Sequence, residues 1–382
     1  MQMAMKEEEL REVLTGLDSA GEPDGPEKSV SIFKKRWRKF RTLKRGYYSF
    51  LIVVAAYLIS FILPILINNK PLVLKFEGRH YLPILRYVDA SEFDPNAFGE
   101  PDYRALRERF ITEGEDNWVL MPVYPYSVNE NLLDLEGVPP HAPTAEHPFG
   151  TDNRGRDIFA RLAYGFNISM SFALLVLAFS YGAGIIVGAA IGYFGGKLDI
   201  LGQRAIEIWS SLPFLYMIII VSSVIVPTYV QGRNQLLQPS FWLLTIILSA
   251  FGWMGITYYV RGEFYREKAK DYIGAAIAMG ASERTIMFKH ILPNALTPVV
   301  SFAPFAIVGN ISALVALDFL GFGLPAPTPS WGELIGQGMQ YLTKWWLVFF
   351  PLGAVFLTLL LIVFIGEAIR EAFDPKEYSR LR

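Results

Sequence analysis

The sequence predicts an all-α polytopic membrane protein: six transmembrane helices, with an irregular extracytoplasmic insert between the first and the second. Three observations carry this expectation. Of 382 residues, 52% are hydrophobic and only 19% charged, whereas soluble chains carry about a quarter charged residues. The apolar residues gather into long runs, and a helix of about 20 apolar residues spans the bilayer core. A basic block without an acid, Lys34 to Arg45, stands directly before the first run.

In chain order, residues 1–30 are rich in Glu, Gly, Pro and Asp and read as a disordered cytoplasmic tail, with Glu7–Leu17 as one short helix. The start has no apolar core of the kind a signal peptide needs. Residues 31–67 combine the basic block with the first span, Tyr47–Ile67. Such a block is a solvated face or an arm for polyanions when taken alone. Beside a span it is the positive-inside signal, which places the amino terminus in the cytoplasm and removes the case for nucleic acid. Residues 68–146 form the periplasmic insert, with β-like pieces at Leu72–Phe76 and Tyr81–Leu85 and a Pro-rich second half. Its aromatics, among them Phe76, Phe93, Phe98, Phe110 and Trp118, exceed what a linker needs. They serve an internal core or a docking face.

Residues 147–382 make up the membrane core. Five runs are expected to span: Ile168–Phe194, Ile206–Val226, Phe241–Val260, Leu296–Leu317 and Trp345–Ile365. Backbone groups in hydrocarbon must be satisfied within the segment, so these runs are helices. Gly184, Gly188 and Gly192 recur at spacing four and predict close helix approach. Pro213, Pro298 and Pro304 predict kinks. Six crossings put both termini inside, and Lys and Arg collect in the expected inner loops, from Arg261 to Lys289 above all.

The most informative loop lies between the fourth and fifth spans, residues 261–295. It reads as two short helices around a turn. Gly280 suits the left-handed position that ends a helix, Ser282 suits the cap of the next, and Pro293 disfavours simple continuation of that second helix. Ala275 and Ala276 leave room for another protein surface. On the residues alone the loop is equally an ordinary amphipathic connector. Two further segments stand out. In His147–Gly165, the residues Ile158, Phe159, Leu162, Ala163 and Phe166 fall on one stripe and Arg154, Arg156 and Arg161 among the polar positions, the pattern of an interfacial helix. Asp152-Asn-Arg-Gly-Arg-Asp lacks the ligand alternation and closing Glu of a calcium loop. Leu317–Glu333 reads as a rigid Pro/Gly outer loop.

Absences narrow the function. There is no cysteine, and the four histidines are scattered, so no metal or catalytic cluster is expected. No Gly-x-x-x-x-Gly-Lys-Ser/Thr occurs, so the chain itself is not expected to bind ATP. Almost no ionisable residue sits at a span centre, which argues against a stand-alone secondary transporter, the alternative reading.

The loop resembles the EAA loop of ABC importer permeases: Glu-Ala-Ala, three residues, Gly, nine residues, Ile, one residue, Leu-Pro. Ala275, Ala276, Gly280, Leu292 and Pro293 match at that spacing, while Gly274 stands for Glu and His290 for Ile. Both departures resemble the peptide-importer branch, as do His147–Gly165 and Leu317–Glu333. The resemblance covers residues 31–382, and the insert from Asn69 and the ending from Gly366 look like the microcin C importer branch. The resemblance implies a type I ABC importer permease fold. It also implies a non-catalytic subunit without a bound cofactor, importing small peptides or peptide-like compounds across the inner membrane. Its partners would be a second permease subunit, two ATPase subunits that use the ATP, and a periplasmic substrate-binding protein. Tyr272, Ala275, Ala276, Gly280, Ala281, Ser282, His290, Leu292 and Pro293 would form the ATPase-coupling loop.

Overall fold

The structure, a computed structural model, describes residues 32–114, 116–225 and 241–373. The tail 1–30, the outer loop around Arg233 and the basic residues from Lys376 onward lie outside the described residues. The architecture is helical, with one small sheet. Among the described residues, four helices are long and apolar enough to cross a bilayer: Ile158–Phe194, Phe241–Lys268, Glu283–Phe319 and Trp346–Phe373.

The chain enters through α1 (Ile32–Thr42), passes the non-helical Leu43 and continues as α2 (Lys44–Ser60). The first expected span, Tyr47–Ile67, is therefore not one helix. It breaks after Ser60 and restarts as α3 (Leu63–Leu66), with Pro64 in its first turn, where a missing N–H costs nothing. In the insert, β1 (Val73–Phe76) pairs antiparallel with β2 (Arg79–Tyr81) on one side and β3 (Trp118–Leu120) on the other. Helix α4 (Tyr103–Glu113) packs on this sheet. Asp102 caps it by accepting from the N–H groups of Arg104 and Ala105, and Gly114, at φ +68°, ends it. Leu74, Val88, Phe93, Tyr103, Leu106, Phe110 and Val119 form a common core, so this part of the insert is ordered rather than irregular. Of the aromatics expected to pack or dock, Phe93 and Phe110 are buried here, while Phe98 and Trp118 are exposed.

From residue 122 the chain behaves differently. It becomes a strap laid on the membrane core: the Asn68 amide donates to the Tyr124 carbonyl, that of Leu132 to Gly155, and that of Thr151 to His141. The Tyr124 hydroxyl and the buried His147 both reach Asp157 Oδ2, at 2.6 and 2.8 Å. Asp157 Oδ1 in turn accepts from the Ala160 amide and caps α5 (Ile158–Phe194). The expected interfacial helix before the second span is thus the first turns of that span itself.

Helix α5 packs along α8 (Phe241–Lys268), and the glycine stripe is the reason. A Cβ on Gly184 would lie 2.7 Å from the Trp253 carbonyl, on Gly188 2.7 Å from that of Thr257, and on Gly192 2.8 Å from the Phe264 Cβ. Backbone thus meets backbone one turn at a time. The third expected span, Ile206–Val226, is broken around Pro213 into α6 (Gly196–Ser210) and α7 (Phe214–Ile225). Proline removes an N–H and its ring obstructs the preceding turn, while the hydroxyls of Ser210 and Ser211 donate back to the carbonyls of Glu207 and Ile208. Asp199 ties α6 to α8 through a two-pronged pair with Arg261, at 2.5 and 2.8 Å. The Tyr265 hydroxyl donates to the same carboxylate at 2.9 Å.

Beyond α8 come the short α9 (Asp271–Ala278) and α10 (Glu283–Thr285), then one turn of π-helix, Ile286–Ile291. Next are α11 (Leu292–Phe319), α12 (Trp331–Gln340) and α13 (Trp346–Phe373). As Pro293 leads one to expect, the second loop helix does not continue simply. The π-turn re-registers the backbone just before that residue, so Pro293 falls in the first turn of α11 and the rod continues to Phe319.

Candidate functional site

The loop between α8 and α11 is built on one buried carboxylate that sequence reasoning missed. Glu267, at the end of α8, is only 2% exposed. Lys270 Nζ donates to it at 2.7 Å and the Tyr272 hydroxyl at 2.8 Å. The same hydroxyl accepts from Asn294 Nδ2 at 3.3 Å, and Asn294 also donates to the His290 carbonyl at 2.9 Å. One tyrosine therefore joins the end of α8 to the start of α11. Glu267 is one of four acids in the loop, with Glu263, Asp271 and Glu283, so its spacing alone does not single it out.

The turn itself forms as its residues dictate. Helix α9 ends in a Schellman motif: the Gly280 amide donates to the Ile277 carbonyl at 2.9 Å and the Ala281 amide to that of Ala276 at 3.0 Å. Gly280 sits at φ +82°, and a Cβ there would meet nothing within 4 Å. Ser282 caps the next helix by accepting from the Thr285 amide. Beneath the turn, Ile273, Ile286 and Ile291 pack with Phe264 of α8 and with Ala295 and Val299 of α11. Ala276 is also buried, so of the two alanines expected on the outer surface only Ala275 is there. Tyr272, Gly280, Ser282 and Pro293 are exposed, and Ala281, His290 and Leu292 are half-buried. The outer surface carries an apolar patch the spacing did not identify: Ile277, Phe288 and Met279, the last 81% exposed. These residues fall outside the stripe that seals the loop, which leaves their apolar side chains uncovered by this chain.

A second polar centre lies at the other end of the bundle. It joins the two remaining segments that the sequence singled out. Arg161, wholly buried, donates to Glu333 Oε2 at 2.6 Å and to the Val128 carbonyl at 3.3 Å. Arg156 donates to Asp152 at 2.7 Å and to Glu333 Oε1 at 3.1 Å. Gln337 donates to Glu333 at 3.2 Å, and the indole of Trp331 to the Leu162 carbonyl at 3.0 Å. Arg156 and Arg161 are thus not on a polar outer face as expected. Two carboxylates neutralise them, so burial is tolerable. Nor is Leu317–Glu333 only a loop: Asp318 accepts from the Leu324 amide and the Ser330 hydroxyl, which sets the turn into α12. This arrangement is a structural clasp across the strap, α5 and α12. Glu333→Gln leaves two buried guanidiniums with one full counter-charge and is expected to cost about 3 kcal/mol, read as a lower unfolding temperature in detergent. Asp116→Asn, at the exposed Lys75–Asp116 pair, is the control and should leave it unchanged.

Among the described residues no group of three or more His, Asp or Glu is placed to hold a metal ion.

Comparison with known proteins covers both centres. Residues 183–377 match the family described as binding-protein-dependent transport system inner membrane component. The chain is 39% identical to the inner membrane ABC transporter permease protein YejE of Escherichia coli K12, over 91% of this chain and 98% of that protein. It is 36% identical to the peptidoglycan transport system permease protein YejE of Agrobacterium fabrum, over 91% and 94%. With the oligopeptide transport system permease protein OppC of Haemophilus influenzae it shares 38% identity over 62% of this chain and 73% of that one.

Proposed function

Because the chain belongs to the binding-protein-dependent transport system inner membrane components, the permeases of ABC importers, we propose that it carries small peptides or peptide-like compounds inward, driven by ATP that separate subunits hydrolyse. It would work with a second permease subunit, two ATPase subunits and an extracytoplasmic substrate-binding protein. On this reading the chain crosses the membrane six times in the type I importer arrangement, with both termini cytoplasmic. The broken segments α2–α3 and α6–α7 then supply the two crossings beyond the four long helices. ATP binding would close the ATPases, the loop 261–295 would move with them, and the bundle would alternate its access.

One observation supports the coupling role most. The apolar patch at Ile277, Met279 and Phe288 stands on a turn whose inner side is sealed onto α8 and α11 together. A push on that patch therefore reaches two membrane helices at once, through close-packed side chains that transmit strain. A stand-alone carrier would need charges at mid-membrane. The buried charges Arg161, Asp199 and Glu267 instead lie within four residues of a helix end. The test is uptake of a labelled peptide into proteoliposomes holding the whole complex. Uptake should require ATP on the ATPase side and persist when ion gradients are collapsed. Gradient-driven uptake by this chain alone would sink the proposal.

We also propose that the sheet and α4 of the insert contact the binding protein or the second permease subunit. Bridging residues 71 and 122 with Gly and Ser removes that unit and keeps the strap. The complex should still assemble, while uptake and capture of the binding protein are lost. Unchanged uptake would show the unit to be dispensable.

A further inference from the structure

Helix α1 is absorbed by neither centre. Its eleven residues rise about 16 Å, too little to cross a bilayer, and its two sides differ sharply. One side is fastened to the bundle. Phe40 is 3% exposed and packs on Ala368 and Ala372 of α13. Arg36 donates to the Thr297 hydroxyl of α11 at 3.1 Å and lies 4.7 Å from the Phe373 ring. The other side carries Lys34, Lys35, Arg38 and Arg41, all exposed, and Lys44 and Arg45 continue it into the start of α2. Among the described residues none of these six is in an ion pair. Trp37, 40% exposed and stacked at 5.5 Å on Phe40, stands beside the cations.

We propose that this cationic face of α1 is a binding surface for anionic phospholipid headgroups. Charge complementarity and position select that occupant. Only Leu43 separates α1 from α2, the helix that leads the chain into the bilayer, so the cations are held at headgroup height. A basic helix with an aromatic edge, lying beside a membrane helix, matches an anionic lipid surface rather than a nucleic acid. The fastened side fixes the helix in place, so the cations form a preset array. The proposal rests on the membrane placement given above, yet lipid retention is scored whether or not the complex transports, which keeps the two failures distinct.

Native mass spectrometry of the full chain, released from detergent after titration with phosphatidylglycerol or with phosphatidylcholine of the same acyl chains, tests it. The chain should retain phosphatidylglycerol several-fold better, and the preference should shrink as ionic strength rises. The variant K34Q/K35Q/R38Q/R41Q should lose the preference while keeping its phosphatidylcholine retention and unfolding temperature, whereas K197Q/R204Q should retain it. Equal retention of the two lipids by the unaltered chain, or a preference intact in the quadruple variant, overturns the proposal. So does tighter binding of a short single-stranded oligonucleotide that the same four substitutions abolish. The salt series on the unaltered chain needs no variant, so the proposal stays open to refutation if the quadruple variant does not fold.

Discussion

Gly280→Asp is expected to abolish peptide uptake and substrate-stimulated ATP hydrolysis while the chain still inserts and can be purified at near-normal yield. Two effects combine. At φ +82° a Cβ carries a conformational cost of about 1–2 kcal/mol, too little to unfold a membrane bundle. Inside the chain the new side chain meets open space, so no internal clash adds to that cost. The large effect falls on whatever covers the turn: a carboxylate would sit beside the exposed Met279 and would be desolvated without a partner on docking. Gly280→Asn separates the two contributions, because Asn tolerates the left-handed region and bears no charge. It should retain most of the uptake that the Asp variant loses. Normal uptake by the Asp variant would remove this turn from the mechanism.

Gly188→Leu is expected to fail earlier, at folding. Its Cβ would come 2.7 Å from the Thr257 carbonyl and 2.9 Å from the Val260 Cβ. Both belong to α8, one of them backbone, so the clash is relieved only by moving the helices apart. Gly184 and Gly192 hold the same interface one turn away on either side, which opposes that movement. Overpacking typically costs about 1–3 kcal/mol, and a rigid helix pair places this case at the upper end. Monodisperse protein recovered by size exclusion should fall to a small fraction of the unaltered chain. Gly182→Leu, in the same helix with nothing within 4 Å of its Cβ, should be recovered normally.

What could be read from the sequence follows from the range of each interaction. The glycine stripe was legible because its cause is local spacing, and so was the turn at Gly280 and Ser282, because left-handed φ and capping are set within a few residues. The membrane helices were legible as runs, but their continuity was not. Pro213 and Pro293 carry the same chemistry, yet one parts α6 from α7 while the other is accommodated by a π-turn. Which outcome holds depends on neighbouring backbone, not on the proline. The clasp was hidden for another reason: Arg161 and Glu333 lie 172 residues apart, and an ion pair leaves no period in the sequence. Arg161 thus resembled a polar surface position until its partner was in view. Glu267 escaped similarly, since the partners that hold it, Lys270 and Tyr272, meet it only once the chain turns into α9. The outer side of the turn was only half visible: Gly280 and Ala275 are expected there, but Ile277, Met279 and Phe288 are exposed because Ile273, Ala276 and Ile286 take the inner side.

The most direct measurement of the coupling claim exploits the absence of cysteine from the chain. Met279→Cys places a single thiol at the exposed tip of the turn, where it can carry a thiol-linked photo-crosslinker in the assembled importer. The account predicts one dominant adduct, joining this chain to an ATPase subunit, with a yield that changes between the nucleotide-free and ATP-bound complex. An adduct with lipid or the binding protein in its place, or a yield indifferent to ATP, would contradict it.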